Sequence, residues 1–121
     1  MKLIFVCSPY SGKIQCNTLK AQEYCKFVYQ QGHVPYAPHL HNPQFLNENI
    51  LKERQAGIML GLEILKKADE MWMFGHLLSR GMKQEMETAQ NLKIPIKYFS
   101  SDCKERTIKK LWQIKTGGSD N

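Results

Sequence analysis

Hydrophobic positions along the chain form short apolar runs that alternate with longer segments of helical spacing. Residues 2–7 (KLIFVC) are almost continuously apolar, which is typical of a parallel strand covered on both faces. Similar short runs predict strands over 33–36, 70–74 (EMWMF) and 94–99 (IPIKYF). Helical spacing predicts helices that follow these strands: one between Asn17 and Gly32, then 50–67, 80–92 and 103–114.

The first helix shows how its ends are read from the sequence. Asn17 is a candidate N-cap, and Gly32 supplies the left-handed residue that ends a helix. Its buried stripe is predicted to consist of Ala21, Tyr24, Cys25 and Val28. The segment 37–49 (APHLHNPQFLNEN) contains two prolines and three asparagines and is predicted to be a long loop.

The alternation of strands and helices predicts the fold class. Parallel strands joined by right-handed crossovers place helices on both faces of an open sheet. We therefore expect a single α/β domain with a flavodoxin-like or Rossmann-like parallel sheet of four or five strands, the first strand being central. Ligands of such folds bind beyond the carboxyl ends of the strands. That edge is predicted to carry the segments SPYSGK, APHLHN and FGHLLSRG.

Composition adds limits to this picture. A chain of 121 residues with 42% hydrophobic residues is typical of one domain, here 1–115, followed by a flexible tail at 116–121. No apolar run approaches the roughly 18 residues that cross a bilayer, and the first residues lack the pattern of a secretory signal. The four cysteines include no C-x-x-C pair, so reduced thiols and a cytoplasmic location are expected.

The formal net charge of +6 favours anionic partners without separating nucleic acid from small phosphorylated ligands. Basic residues lack interleaved aromatic residues, so nucleic acid is the disfavoured partner. His39 and His41 have no third ligand at a recognisable spacing, and neither a metal nor another cofactor is expected.

Polar residues at the predicted ligand edge could hold a phosphate or a sugar hydroxyl. Hydroxyls, glycine amides, cations and a helix N-terminus together form such a cradle. The candidate binding residues are Ser8, Ser11, Gly12, Lys13, Ser79, Arg80 and Gly81, with His39 beside them.

Glu85, on the helix predicted over 80–92, is the candidate catalytic residue. Met82, Glu85, Met86 and Ala89 share one face of that helix, so a carboxylate lies on its apolar stripe. Burying a carboxylate is costly unless it is hydrogen-bonded, neutral or functional. Glu87 lies on the opposite side and is predicted to be solvated.

The segments IFVCSPYSG near the start, AD at 68–69 and SRGMKQEMETA at 79–89 resemble the nucleoside 2-deoxyribosyltransferase superfamily. The resemblance covers about residues 2–99. The segment GHVPYAPHLHNPQFLNE is similar to a group of short bacterial and phage proteins within this superfamily. It implies a flavodoxin-like sheet and a glutamate nucleophile four residues after a glycine, here Glu85 after Gly81. It also implies that Tyr10 orients this nucleophile.

Two positions depart from the transferase pattern. Base-contacting aspartates of the transferases fall here on Ser79 and Gly61. The branch that hydrolyses 2′-deoxynucleoside 5′-monophosphates carries serine at the positions of Ser79 and Ser8, where it contacts phosphate. The resemblance therefore favours a nucleotide as substrate, while Gly61 leaves activation of the departing base without an obvious agent.

The resulting hypothesis is an enzyme that cleaves or transfers the N-glycosidic bond of a (2′-deoxy)nucleoside or its 5′-monophosphate, with Glu85 as nucleophile. His76, His39 and His41 are the candidate proton donors to the leaving base, with His76 placed among the catalytic residues. The alternative is a non-catalytic protein that senses or sequesters a nucleotide. Because a short chain encloses a small-molecule site poorly, and because the superfamily completes its sites across subunits, a homodimer or larger homo-oligomer is expected.

Overall fold

The structure is a computed structural model that describes residues 1–107. Its elements are β1 (Leu3–Cys7), α1 (Ile14–Gln30), β2 (Val34–Tyr36), α2 (Pro38–His41), a 3-10 helix (Asn42–Gln44), α3 (Leu51–Lys67), β3 (Glu70–Phe74), α4 (Arg80–Asn91), β4 (Ile96–Phe99) and β5 (Glu105–Arg106). The predicted alternation of strands and helices is confirmed by this order.

The strands form a five-stranded sheet in the order β2-β1-β3-β4-β5. The first four strands are parallel, and only β5 runs antiparallel to its neighbour. This is the flavodoxin-like order, so the predicted fold class is confirmed. β1 lies inside the sheet between β2 and β3, but β3 rather than β1 is the middle strand. The chain reverses its direction across the sheet between β1 and β3, which is where such folds open a crevice.

Two hydrophobic clusters cover the two faces of the sheet, because successive side chains of a strand point to opposite sides. Phe5 and Cys7 of β1 belong to the cluster that contains Leu65 of α3 and Met82 of α4. Ile4 and Val6 belong to the other cluster, against Tyr24 and Val28 of α1. Helices therefore pack on both faces, and α4 is held against the same face as Cys7.

Acidic side chains stabilise the amino end of the sheet. The backbone amide of Leu3 donates to Asp69 Oδ2 at 2.7 Å. Glu70, which is largely buried, accepts from Trp72 Nε1 at 2.8 Å and pairs with Lys2 at 2.7 Å. Asp69 thus has a structural role at the edge opposite the predicted ligand site.

Local corrections concern the ends of elements. α1 begins at Ile14, so Asn17 is not its cap. The side-chain amide of Asn17 instead donates to the Tyr10 and Ser11 carbonyls at 2.9 and 3.2 Å. Gly32 has φ +88°, which confirms the left-handed residue after the helix.

The segment 37–49 is not a featureless loop, because it contains α2 and the 3-10 helix. Proline stands at the start of each, where its fixed φ suits the first helical turn. The helix predicted over 103–114 is wrong at its start, where a turn leads into β5. Its remainder, like the predicted tail at 116–121, lies outside the described residues.

Ser79 caps α4, and its replacement should measurably weaken the domain. Ser79 Oγ accepts a hydrogen bond from the Met82 amide at 3.2 Å. Ser79→Ala should lower the free energy of unfolding by about 1 kcal/mol, because one amide of the first turn loses its acceptor. Urea denaturation measures this, and Ser79→Asp, which keeps an acceptor, should retain most of the stability. Equal stability of the alanine variant would show that the cap contributes nothing.

Candidate functional site

A pocket of about 390 Å³ opens at the carboxyl edge of the sheet. Its walls come from the loop after β1, from α2 and the 3-10 helix, from α3 and from the first turns of α4. The loop after β1 and the start of α4 follow the two strands between which the chain reverses its direction. The pocket therefore lies where the topology of the sheet leaves a crevice.

Glu85 lines this pocket from α4. Desolvation in these surroundings raises the pKa of its carboxyl from 4.5 to about 7, and a hydrogen bond with the Cys7 thiol opposes part of that rise. Near neutral pH the group is therefore divided between its neutral and ionised forms. A positive charge that develops beside it would favour the ionised form.

Cys7 is a buried neighbour of the Glu85 carboxyl. The residue is fully buried at the end of β1, and its Sγ lies 3.9 Å from the Met82 carbonyl. Burial, and then the nearby Glu85 carboxylate, raise the pKa of the Cys7 thiol well above its ordinary value. Cys7 therefore keeps its proton and is a hydrogen-bonding neighbour of Glu85 rather than a nucleophile.

Tyr10 and His39 form an aromatic pair that also lines the pocket. Their rings are stacked with centroids 4.7 Å apart and planes 21° apart. His39 Nε2 lies 2.8 Å from the Ser8 carbonyl, and since a carbonyl only accepts, this nitrogen carries the hydrogen. Burial lowers the pKa of His39 to about 4. His39 is therefore neutral near pH 7, which argues against the proton-donor role that the sequence left open for it.

The other two candidate proton donors, His41 and His76, are not among the residues that line the pocket. His76 is exposed and is not among the residues that line it, so the structure does not bring this candidate proton donor to Glu85. His41 is also exposed, and its ring contacts Tyr36 and Phe45 at centroid distances of 5.6 and 5.2 Å.

Some of the predicted phosphate-binding residues line the pocket and others do not. The lining includes part of it: Ser11, Arg80 and Gly81, besides Tyr10, His39 and Glu85. It does not include Ser8, Gly12, Lys13 or Ser79. Gly12 and Lys13 are exposed in the loop before α1, and Ser79 is occupied as the cap of α4. Ser8 is buried, and its hydroxyl has no hydrogen-bond partner among the described residues.

Three charged residues of the pocket were not predicted from the sequence. Glu48, Glu53 and Arg54 line its outer wall, from the segment before α3 and from the first turn of that helix. Glu53 Oε1 accepts from the Asn47 amide at 2.7 Å, which ties the segment to the helix. The only sequence signal was the position of these residues directly after a loop that follows a strand end.

Metal ligands do not gather at this site. Within residues 1–107 there is no group of three or more His, Cys, Asp or Glu side chains placed to hold a metal ion. In the same part of the chain, no helix has the length and apolar character that a membrane span requires.

Comparison with solved structures gives a match to the fold. The structure is similar to a 2-deoxyribosyltransferase from the psychrotolerant bacterium Bacillus psychrosaccharolyticus, with a TM-score of 0.65 and 17% sequence identity. The match covers 81% of this chain and 72% of that chain. At this identity the likeness shows a shared fold, in agreement with the sheet order and with the fold that the sequence resemblance implied.

Comparison of sequences gives the family. A search of curated proteins gave no match. Residues 2–99, which include the whole of the pocket lining, match the profile of a family described as "Domain of unknown function (DUF7768)". The chain belongs to the DUF7768 family.

Proposed function

We propose that this protein cleaves or transfers the N-glycosidic bond of a (2′-deoxy)nucleoside or nucleoside 5′-monophosphate, with Glu85 as the nucleophile. The observation that carries the proposal is a desolvated carboxyl in a pocket at the ligand edge of the sheet, with its pKa raised to about 7. Glu70 is held by an ion pair with Lys2, whereas the hydrogen-bond neighbour of Glu85 within residues 1–107 is a thiol, that of Cys7. A carboxyl kept in such surroundings is typical of a catalytic group.

The chemistry needs a group that stabilises positive charge at the sugar. Breaking the bond between C1′ and the base sends the bonding electrons to the base nitrogen and leaves a cationic sugar carbon. The Glu85 carboxylate can stabilise this carbon and bond to it, forming a glycosyl-enzyme. Water or a second base then attacks C1′ and releases Glu85. Two displacements give retention of configuration.

Tyr10 and the start of α4 support this role. Tyr10 lines the same pocket as Glu85 and is proposed to orient the nucleophile. Arg80 and Gly81 lie at the N-terminus of α4, where amides and a cation favour a phosphate. Ser8 and Ser79 remain proposed phosphate ligands, and the orphaned Ser8 hydroxyl can still donate a hydrogen bond.

Release of free base tests the proposal. The protein is incubated with the four 2′-deoxynucleosides and their 5′-monophosphates, with and without an added acceptor base, and the products are separated by chromatography. Base release without an acceptor indicates a hydrolase, and exchange only with an acceptor indicates a transferase. If none of the eight compounds loses its base, the enzymatic proposal is wrong.

A non-catalytic nucleotide-binding protein is the second candidate, and Gly61 is the observation that favours it. Gly61 lines the pocket without offering a functional group. A Cβ at this position would make only an ordinary contact, 3.8 Å from Pro38 Cβ, so packing does not require a glycine there. A protein that only binds its ligand has no need of an acid at this position. Binding without base release would support this second function.

The proposed assembly is a homodimer or a larger even-numbered oligomer, with residues 37–49 near the interface. Exposed apolar side chains lie on this segment, directly after it and on α3: Phe45, Ile50, Leu51, Ile58 and Met59. Multi-angle light scattering at micromolar concentration should therefore report at least two chains per particle. Met59→Lys should weaken association at least about tenfold, since it places a charge in the interface. Leu19→Lys, at an exposed position of α1, is the matched control, and a monomeric wild type would contradict the prediction.

A further inference from the structure

Glu48 is a pocket carboxylate without a partner. It lines the pocket and is partly buried, yet its carboxylate makes no hydrogen bond or ion pair with another residue of the described chain. The nearby Glu53, in contrast, already accepts from a backbone amide. A partly desolvated carboxylate gains free energy when N–H donors reach it. Glu48 is thus available to a ligand in a way that Glu53 is not.

The aromatic pair Tyr10 and His39 lines the same pocket as Glu48. Tyr10 and His39 are stacked face to face, and the hydrogen bond from His39 Nε2 to the Ser8 carbonyl holds the pair to the end of β1. Burial, and then the negative charge of Glu48, raise the pKa of Tyr10, which places the carboxylate within electrostatic reach of the pair. A flat aromatic surface with a carboxylate beside it matches a nucleobase, which has a flat face and a polar edge.

We propose that Tyr10, His39 and Glu48 form the nucleobase subsite, and that this subsite prefers bases with an amino group at their polar edge over the corresponding keto bases. The preference follows from the chemistry of the carboxylate. An ionised carboxylate only accepts hydrogen bonds, so it pairs with the exocyclic amino group of cytosine or adenine. The keto oxygen of uracil or hypoxanthine at the same place is also an acceptor and would be repelled. This inference rests on the proposed nucleoside or nucleotide ligand.

The test measures binding in a protein that does not consume its ligand. In the Glu85→Gln variant, calorimetry compares the 5′-monophosphates of 2′-deoxycytidine with 2′-deoxyuridine and of 2′-deoxyadenosine with 2′-deoxyinosine. The amino member of each pair should bind about 10- to 100-fold more tightly. Adding Glu48→Gln should reduce this preference below about threefold, because an amide presents both a donor and an acceptor.

Two further variants complete the design. Glu87→Gln, combined with Glu85→Gln, makes the same charge change on an exposed part of α4 and should keep the preference. Tyr10→Leu should weaken all four nucleotides alike, by about tenfold, since stacking does not distinguish amino from keto bases. Equal affinities within each pair, a preference that survives Glu48→Gln, or no binding of any nucleotide would overturn the subsite. Because binding is measured apart from base release, a failure of the subsite is distinguishable from a failure of the proposed catalysis.

Discussion

Replacing Glu85 by glutamine should lower the rate of base release by at least about three orders of magnitude, while nucleotide affinity changes little. Glutamine has nearly the same size and reach, but it cannot bond to C1′ as a carboxylate or balance the positive charge of the sugar. The lost interaction belongs to the transition state far more than to the ground state, so kcat falls and binding does not. Chromatography of released base and calorimetry measure the two quantities separately.

Glu87→Gln is the matched control for this experiment. It makes the same substitution two residues further along α4, at an exposed position. Its turnover should equal that of the wild type. Equal turnover of Glu85→Gln and wild type would show that Glu85 is not the nucleophile. Tight nucleotide binding without base release, in both the wild type and Glu85→Gln, would instead support the nucleotide-binding function.

Glu85→Gln should also make the protein more stable than the wild type at alkaline pH. The pKa of Glu85 is raised from 4.5 to about 7 by desolvation, so between these pH values the native state holds a proton that the unfolded chain has lost. The contribution of Glu85 to stability is therefore complete below pH 4.5 and is lost as the pH rises through 7. Glutamine stays neutral throughout. The stability of Glu85→Gln relative to wild type should thus be about 2 to 3 kcal/mol greater at pH 8 than at pH 5.

Urea denaturation at both pH values measures this difference without any assumption about function. Glu87→Gln, at an exposed position of the same helix, is the matched control for this measurement. A difference between Glu85→Gln and wild type that stays constant from pH 5 to pH 8 would contradict the raised pKa. It would leave the role of Glu85 to be decided by turnover alone.

Several features of the site followed from the sequence. Apolar runs and helical spacing predicted each strand of the parallel sheet, because the periodicity of burial is a local property of a strand or helix. The parallel order then placed the loop after β1 and the start of α4 at one edge. The helical stripe through Met82 and Ala89 placed Glu85 facing inward. These residues meet in the structure at the pocket.

Other features depended on contacts between distant parts of the chain. The sequence predicted a loop over 37–49, and only packing against α3 shows that its short helices form one wall of the pocket and bring Glu48 to it. His76 also follows the end of a strand, as the other candidate residues do, yet its side chain is exposed to solvent. Residue type and position in the sequence did not show that Glu48 lines the pocket and that His76 does not.

The sequence by itself determined the alternation of the parallel strands with the long helices, the edge of the sheet at which the pocket opens and the inward-facing position of Glu85, since each depends on local periodicity and strand direction. Tertiary structure decided which groups share the pocket and what their protonation is. Burial lowers the pKa of His39 to about 4 even though its hydrogen bond with the Ser8 carbonyl opposes this shift, and burial raises the pKa of Glu85 to about 7 even though the Cys7 thiol opposes that one. Desolvation depends on the atoms that surround a group in space, and the pocket is formed here by the loop after β1 together with α2, α3 and α4.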